Sequence, residues 1–348
     1  MPAMVNCDTL IKNARVLDGS GSDVQVADVA VSDGRIVDVG YGLSVAASAL
    51  IDAEGQVLAP GFIDTHTHDD TSVIETPGML AKLSQGVTTV IVGNCGISAA
   101  PVPLRRGLPD PMNLLGGAEF FRYPTFASYA DAVADARPAV NVAALAGHTA
   151  IRNNHMDRLD RTATSTEIEA MCADLQEALN AGAIGLSTGL AYASANAAST
   201  DEVIAMASLL QAAGGIYVTH LRTEAGDVLD AMDEAFAIGE AANVPVVISH
   251  LKCAGINNWG RSGEVLRALE AAWGRQPVSC DCYPYAAGSS TLDLKQVDPR
   301  VEITITGSAA FPEVAGRSLA VIAEGWGVSQ YDAARRLQPA GAIYHSIA

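Results

Sequence analysis

Positive charge is scarce in this 348-residue chain, with 21 Lys and Arg against 39 Asp and Glu, a formal net charge of −18. No basic cluster is present, which argues against nucleic acid or an anionic membrane as a partner, because phosphate binding needs concentrated Lys and Arg. Aromatic residues make up only 5% of the chain, and its longest apolar stretches are broken by Gly, Asp, Thr or His. None reaches the ~18 residues of a membrane span. The opening Met-Pro-Ala-Met-Val-Asn-Cys-Asp has no basic region followed by an apolar run, so it reads as no secretory signal and a cytoplasmic location is expected. Six cysteines are scattered over the whole chain without a C-x-x-C, which predicts reduced thiols and no disulfide framework. Cys280 and Cys282 stand two apart in an apparent strand, and are expected to share one face and to serve packing.

What the chain has is 49% hydrophobic residues and 32 glycines, a composition that builds a core and excludes disorder as the main state. Residues 5–58 read as short alternating strands separated by Asp18-Gly19 and Asp33-Gly34 turns, a small β domain assigned to residues 1–58. From residue 59 to 348 apolar runs alternate with Ala-rich helical segments, the pattern of parallel βα units. Seven runs are expected as strands: Gly61–Asp64, Thr89–Val92, Val140–Leu145, Ile184–Ser187, Ile216–Thr219, Val244–Ser249 and Val278–Cys282. Ser165-Thr166-Glu167 and Ser199-Thr200-Asp201-Glu202 read as helix starts. No G-x-G-x-x-G or P-loop follows any strand, so a TIM-like (β/α)8 barrel with about seven units is favoured over a doubly wound open sheet.

Chemistry concentrates at the strand ends. Asp64-Thr65-His66-Thr67-His68 closes the first run, and in an extended segment His66 and His68 share a face. Cys95 follows the second run, His220 ends the fifth and His250 the sixth. Strand C-termini of a barrel converge on one mouth, so these five donors meet there. Imidazole and thiolate together select Zn²⁺ over the oxygen-seeking Mg²⁺ or Ca²⁺. His148, after the third run, is a candidate pocket residue, while His155 and His345 read as surface.

These segments carry a resemblance. Leu58-Ala59-Pro60-Gly61-Phe62-Ile63-Asp64-Thr65-His66-Thr67-His68 resembles the opening of the amidohydrolase superfamily. Gly93-Asn94-Cys95-Gly96, Gly147-His148-Thr149, Gly185–Tyr192, Thr219-His220-Leu221-Arg222, Ser249-His250-Leu251-Lys252 and Tyr283-Pro284-Tyr285 narrow it to the N-acyl-D-amino-acid deacylases, or D-aminoacylases, over residues 7–292. The resemblance implies a zinc hydrolase cleaving the amide of a small molecule, an N-acyl-D-amino acid, to a carboxylate and a D-amino acid. It implies Cys95, His220 and His250 around a principal zinc and His66 and His68 at a second, weaker position. Tyr283 and Ser289 match residues that bind the substrate carboxylate, with Lys252 and Tyr192 near the pocket.

The family's catalytic aspartate lies in a Ser-Asp-Gly at an eighth strand, and no residue here matches it. The only Ser-Asp-Gly is Ser32-Asp33-Gly34, which reads as a turn. Asp64 and Asp281 are near the site by position, with Asp281 expected to be structural. Seven units without the eighth expose strand edges, which predicts marginal stability or self-association and an incomplete small β domain, and leaves open whether this chain is active. The readings weighed against the deacylase are an inactive zinc-binding pseudoenzyme or fragment, and a dihydroorotase or hydantoinase. The latter bridges its metals with a carboxylated lysine at strand 4, where Ile184-Gly185-Leu186-Ser187-Thr188 has none.

Overall fold

The computed structural model describes residues 6–104 and 107–347. It divides into two compact units, Met1–Phe62 and Ile63–Ala348. In the first unit β1 (Asn6–Val16) lies between β2 (Gln25–Ser32) and β4 (Ala46–Asp52), with β3 (Arg35–Gly40) beyond β2 and β5 (Val57–Leu58) paired to the end of β1. β1 pairs antiparallel with β2 and parallel with β4. The turn between β2 and β3 holds Asp33 and Gly34 at φ 50° and 69°, the left-handed pair a tight hairpin requires, so Ser32-Asp33-Gly34 is a turn. Its core is small, built around Cys7, Leu10 and Ala30, and large side chains such as Ile36 and Leu50 remain about two-thirds exposed, at 68% and 66%.

The second unit carries a parallel series. β6 (Phe62–Asp64), β7 (Val87–Val92) and β8 (Asn141–Ala144) are neighbours in one ladder. β9 (Ala146–Gly147), β10 (Gly185–Gly189), β11 (Ile216–His220), β12 (Val246–Ile248) and β13 (Val278–Cys280) follow in sequence order in a second, with every pairing parallel. The third expected run is thus two short strands parted at Leu145, whose N–H still reaches the Val92 carbonyl at 3.0 Å. All five residues of β10 are buried, as befits a strand covered on both faces. Helices Ser165–Asn180, Thr200–Ala207, Val228–Ala242 and Ser262–Trp273 connect the strands, and their Met171, Leu175, Val203, Met206, Met232 and Val265 pack into the main core.

Local chemistry sets the helix starts. Thr164, not Ser165, caps the first of these helices: its hydroxyl accepts from the Glu167 N–H while Glu167 takes the Thr164 N–H at 2.8 Å. Ser199 caps the next. The strand containing Cys280 stops there, leaving Cys280 packed beside the core and Cys282 exposed, so the two do not form one packing face. Six free cysteines agree with reduced thiols.

The region beyond β13 was unreadable as repeat pattern. It forms an antiparallel sheet of β14 (Gly288–Thr291), β16 (Ala340–Tyr344) and β15 (Ile303–Ser308), with helices Leu319–Trp326 and Gln330–Leu337 packed on it through Leu319, Ile322, Ala333 and Leu337. Among the described residues, no helix is long and apolar enough to cross a membrane.

Candidate metal centre and substrate cavity

Cys95 is the hub. It sits just after β7 in a Gly93-Asn94-Cys95-Gly96 turn where it adopts φ 54°, a left-handed conformation costly for a residue with a side chain. The flanking glycines are required: Gly93 has φ 78° and a Cβ there would strike the Leu145 carbonyl, while one on Gly96 would meet the Gly189 backbone. Asp70, fully buried, fastens the turn by accepting the N–H groups of Gly93 and Ala99 at 3.2 Å each. Burial pushes its carboxyl up to about 6.

Around the Cys95 sulfur the imidazoles converge. His66 Nε2 lies 3.2 Å from Sγ and His250 Nε2 3.4 Å. One ligand atom each from Cys95, His220 and His250 falls within 4.8 Å of the others, and the same holds for His66, His68 and Cys95. The rings of His220 and His250 meet edge to face at 4.4 Å. Zn–N bonds of about 2.0 Å and a Zn–S bond of about 2.3 Å at tetrahedral angles place a nitrogen and a sulfur donor roughly 3.5 Å apart, close to the 3.4 Å between His250 Nε2 and Cys95 Sγ. Burial would raise the Cys95 thiol, but the adjoining His66 and His250 hold it well below the ordinary thiol range, favouring the thiolate that metals bind. His220 is pushed down by burial toward the neutral imidazole that ligates. The donor set therefore fits zinc.

His250, like Cys95, has a left-handed backbone, with φ 37°. Its strain is offset by the N–H bond to Asp281 Oδ1 at 2.7 Å. Behind its ring stands Glu224, an acid the sequence pattern did not single out. Glu224 Oε1 is 2.8 Å from His250 Nδ1 and accepts from Lys252 Nζ at 2.5 Å. Burial opposes its charge, yet His220, His250 and Lys252 hold its carboxyl far below the usual carboxylate range. Nothing in Thr219-His220-Leu221-Arg222-Thr223-Glu224 marks it in advance, because it lies past the end of β11 in a loop whose path only the fold defines.

A cavity of about 270 Å³ opens beside these donors. His68, Cys95, His220 and His250 line it, together with Lys252, Tyr283, Ser289 and Tyr192. The Tyr192 ring stands 4.8 Å from that of His220, and Lys252 Nζ 5.7 Å from the Tyr283 ring centre. Asp110, Asp293 and Lys295 add charge to the walls, the last two from the segment after β14. His66 touches Cys95 from behind the lining.

Three histidines lie elsewhere, and of these His345 is exposed at the surface as expected. His148 does not line the cavity: it is fully buried, its Nε2 2.9 Å from Glu202, which also pairs with the buried Arg152. The reason is that the chain turns into helix His148–His155 directly after β9, drawing the ring between helices. His155 is half-buried and bonded to Asp174 at 2.8 Å, so it is anchored instead of free on the surface. Asp64 pairs with Lys82 at 2.8 Å.

An α/β fold whose strand ends bring a thiolate and imidazoles to one cavity defines a metal-dependent hydrolase. Comparison with known proteins makes this specific. The amidohydrolase family model matches residues 49–278. N-acyl-D-aspartate deacylase of Alcaligenes xylosoxydans xylosoxydans is 46% identical over 98% of this chain and 69% of its own. The crystal structure of a D-aminoacylase superposes with a TM-score of 0.95 at 44% identity, covering 98% of this chain and 72% of that one. N-acyl-D-glutamate deacylase of Bordetella bronchiseptica, solved with zinc and a phosphonate inhibitor, gives 0.94 at 40% identity over 99% and 72%. The chain belongs to the amidohydrolase family, in its N-acyl-D-amino-acid deacylase branch.

Proposed function

We propose that this chain is a zinc-dependent hydrolase that cleaves the amide bond of N-acyl-D-amino acids, releasing a carboxylate and a D-amino acid. The observation that carries the reading is the meeting of Cys95, His220 and His250 within 4.8 Å in a cavity also lined by Lys252, Tyr283 and Ser289. Cys95, His220 and His250 would hold the principal zinc, and His66 and His68, sharing Cys95, a second. Bound zinc supplies Lewis acidity, polarising a carbonyl and acidifying water. The chain's own residues do the rest. Lys252 brings positive charge to the cavity, and Tyr283 and Ser289 offer hydroxyl donors, a set suited to a substrate carboxylate. Tyr192, packed on the His220 ring, fixes that ring and bounds the pocket. Both carboxylates beside the donors are engaged, Glu224 by Lys252 and His250, and Asp281 by His66 and the His250 N–H. Neither is assigned the proton transfer that hydrolysis needs.

The parallel series β6 to β13 is read as seven strands of a TIM-like (β/α)8 barrel, residues 59–348, and residues 1–58 as a small β domain of sandwich type. A reduced thiol set agrees with a cytoplasmic protein. The test is metal analysis of the purified chain with an assay on N-acetyl-D- and N-acetyl-L-amino acids. Stoichiometric zinc with D-selective turnover is the expected result. Zinc without turnover favours a non-catalytic zinc binder, and turnover of cyclic amides instead of linear ones a hydantoinase-like enzyme.

A further inference from the structure

We propose that Asp281 is a positioning residue whose Oδ2 makes His66 a donor, so that the His66–His68–Cys95 cluster depends on that carboxylate oxygen while the Cys95–His220–His250 cluster does not. The inference rests on the reading of these groups as zinc donors and adds a division of labour between the two clusters.

Asp281 follows β13 directly and its side chain is only 14% exposed. Its two oxygens do different things. Oδ1 accepts the His250 backbone N–H at 2.7 Å, and Oδ2 faces His66 Nδ1 at 3.2 Å. A metal-ligating imidazole is neutral and a carboxylate accepts, so for His66 to ligate, its hydrogen must sit on Nδ1 facing Asp281 and its lone pair on Nε2, the nitrogen 3.2 Å from Cys95 Sγ. A carboxylate behind a ligating imidazole fixes both tautomer and ring orientation. His68 has no such support, since its buried Nδ1 has no hydrogen-bond partner. The cluster's organised member is therefore His66, and Asp281 is what organises it. The tie also spans a place the ladders do not reach: among the described residues β6 pairs only with β7 and β13 only with β12. His250 is met separately at its own Nδ1, by Glu224 Oε1 and Lys252 Nζ, each at 2.8 Å.

Asp281→Asn tests this with almost no change of shape. The His250 N–H requires an acceptor, so the amide oxygen takes the Oδ1 place and the NH₂ group is turned to His66. An NH₂ donor there favours hydrogen on Nε2 and removes the lone pair from the cluster. The experiment titrates zinc into metal-free wild type, D281N and His68→Ala, and records cobalt-substituted spectra of each. Wild type is expected to take up two ions; D281N retains the first, with its sulfur-to-cobalt charge-transfer band, and binds the second about 10–100-fold more weakly. H68A should show the same selective loss. The proposal is overturned if D281N binds both ions within twofold of wild type, if it loses the first ion, or if wild type binds only one. Wild type that binds no zinc overturns the metal-site reading as well. A measurement free of any substitution is the ¹⁵N-histidine spectrum of the zinc-loaded wild type, where His66 must carry its hydrogen on Nδ1; hydrogen on Nε2 refutes the proposal.

Discussion

Two clusters of buried ionisable groups stand near the ends of neighbouring strands, and they behave in opposite ways. Around Cys95 the nitrogen atoms of His66 and His250 point at a sulfur, and the group faces a cavity. Around Glu202, His148 and Arg152 close on a carboxylate that is itself buried, and none of the three lines the cavity beside Cys95. Cys95 and Glu202 are both deeply buried, yet the first gathers a sulfur and imidazole nitrogens at the edge of a cavity, whereas the second is closed on a guanidinium within the core. A strand-end histidine is thus a ligand candidate only when its neighbours leave a Lewis acid something to do.

The largest effect that would break this contrast comes from Cys95→Ala. Both donor clusters share that sulfur, so zinc measured after dialysis should fall from stoichiometric to none, and activity with it. Retained zinc would mean that the hub is misplaced. Next in size is Arg152→Met, which leaves Glu202 buried without its guanidinium and should cost about 3–5 kcal/mol in denaturant unfolding. Zinc per folded chain should stay as in wild type, because no donor touches this network. Lys252→Met removes a positive charge from the cavity and also the partner of buried Glu224 behind His250, so it should raise KM about 10-fold and lower kcat as well. Steady-state kinetics on N-acetyl-D-amino acids separates the two constants.

A subtler effect is pH-dependent. Burial lowers the His148 pKa below its ordinary 6.5, and Glu202, though burial opposes its charge, is held below its ordinary 4.5 by His148 and Arg152. In both cases the unfolded chain binds protons that the folded chain refuses. The stability contributed by these two groups is therefore complete above about pH 6.5 and declines as pH falls, first through His148 and below about pH 4.5 also through Glu202. His148→Gln should flatten the first part of that decline in thermal melts. The smallest effect belongs to His155→Ala, which removes one half-exposed contact to Asp174: zinc content should be unchanged and stability should drop by no more than about 1 kcal/mol.

Much of this was legible because strand ends carry chemistry in a parallel βα fold. The seven apolar runs correspond to β6 through β13, and Cys95, His220 and His250 meet where that periodicity puts them. Lys252, Tyr283, Ser289 and Tyr192 reach one cavity with them. His148 was misjudged because the residue after a strand end can turn toward the helices as readily as toward the mouth, and one step of helix geometry decides which. Glu224 escaped notice since its partners come from three separate loop positions. The β14–β16–β15 sheet escaped because Gly288–Thr291 and Ala340–Tyr344 are far apart in the chain, with β15 and two helices between them, and no local pattern joins them.

The chain's own order of residues settled the kind of backbone, the donor types and the strand each donor follows, because periodicity and turn chemistry act over a few neighbours. Which nitrogen faces which sulfur, which acid stands behind which ring, and which histidine is sealed in a salt bridge were settled only by folding. Those outcomes depend on distances between groups dozens to hundreds of positions apart, such as His66 and Asp281, and no local pattern encodes them.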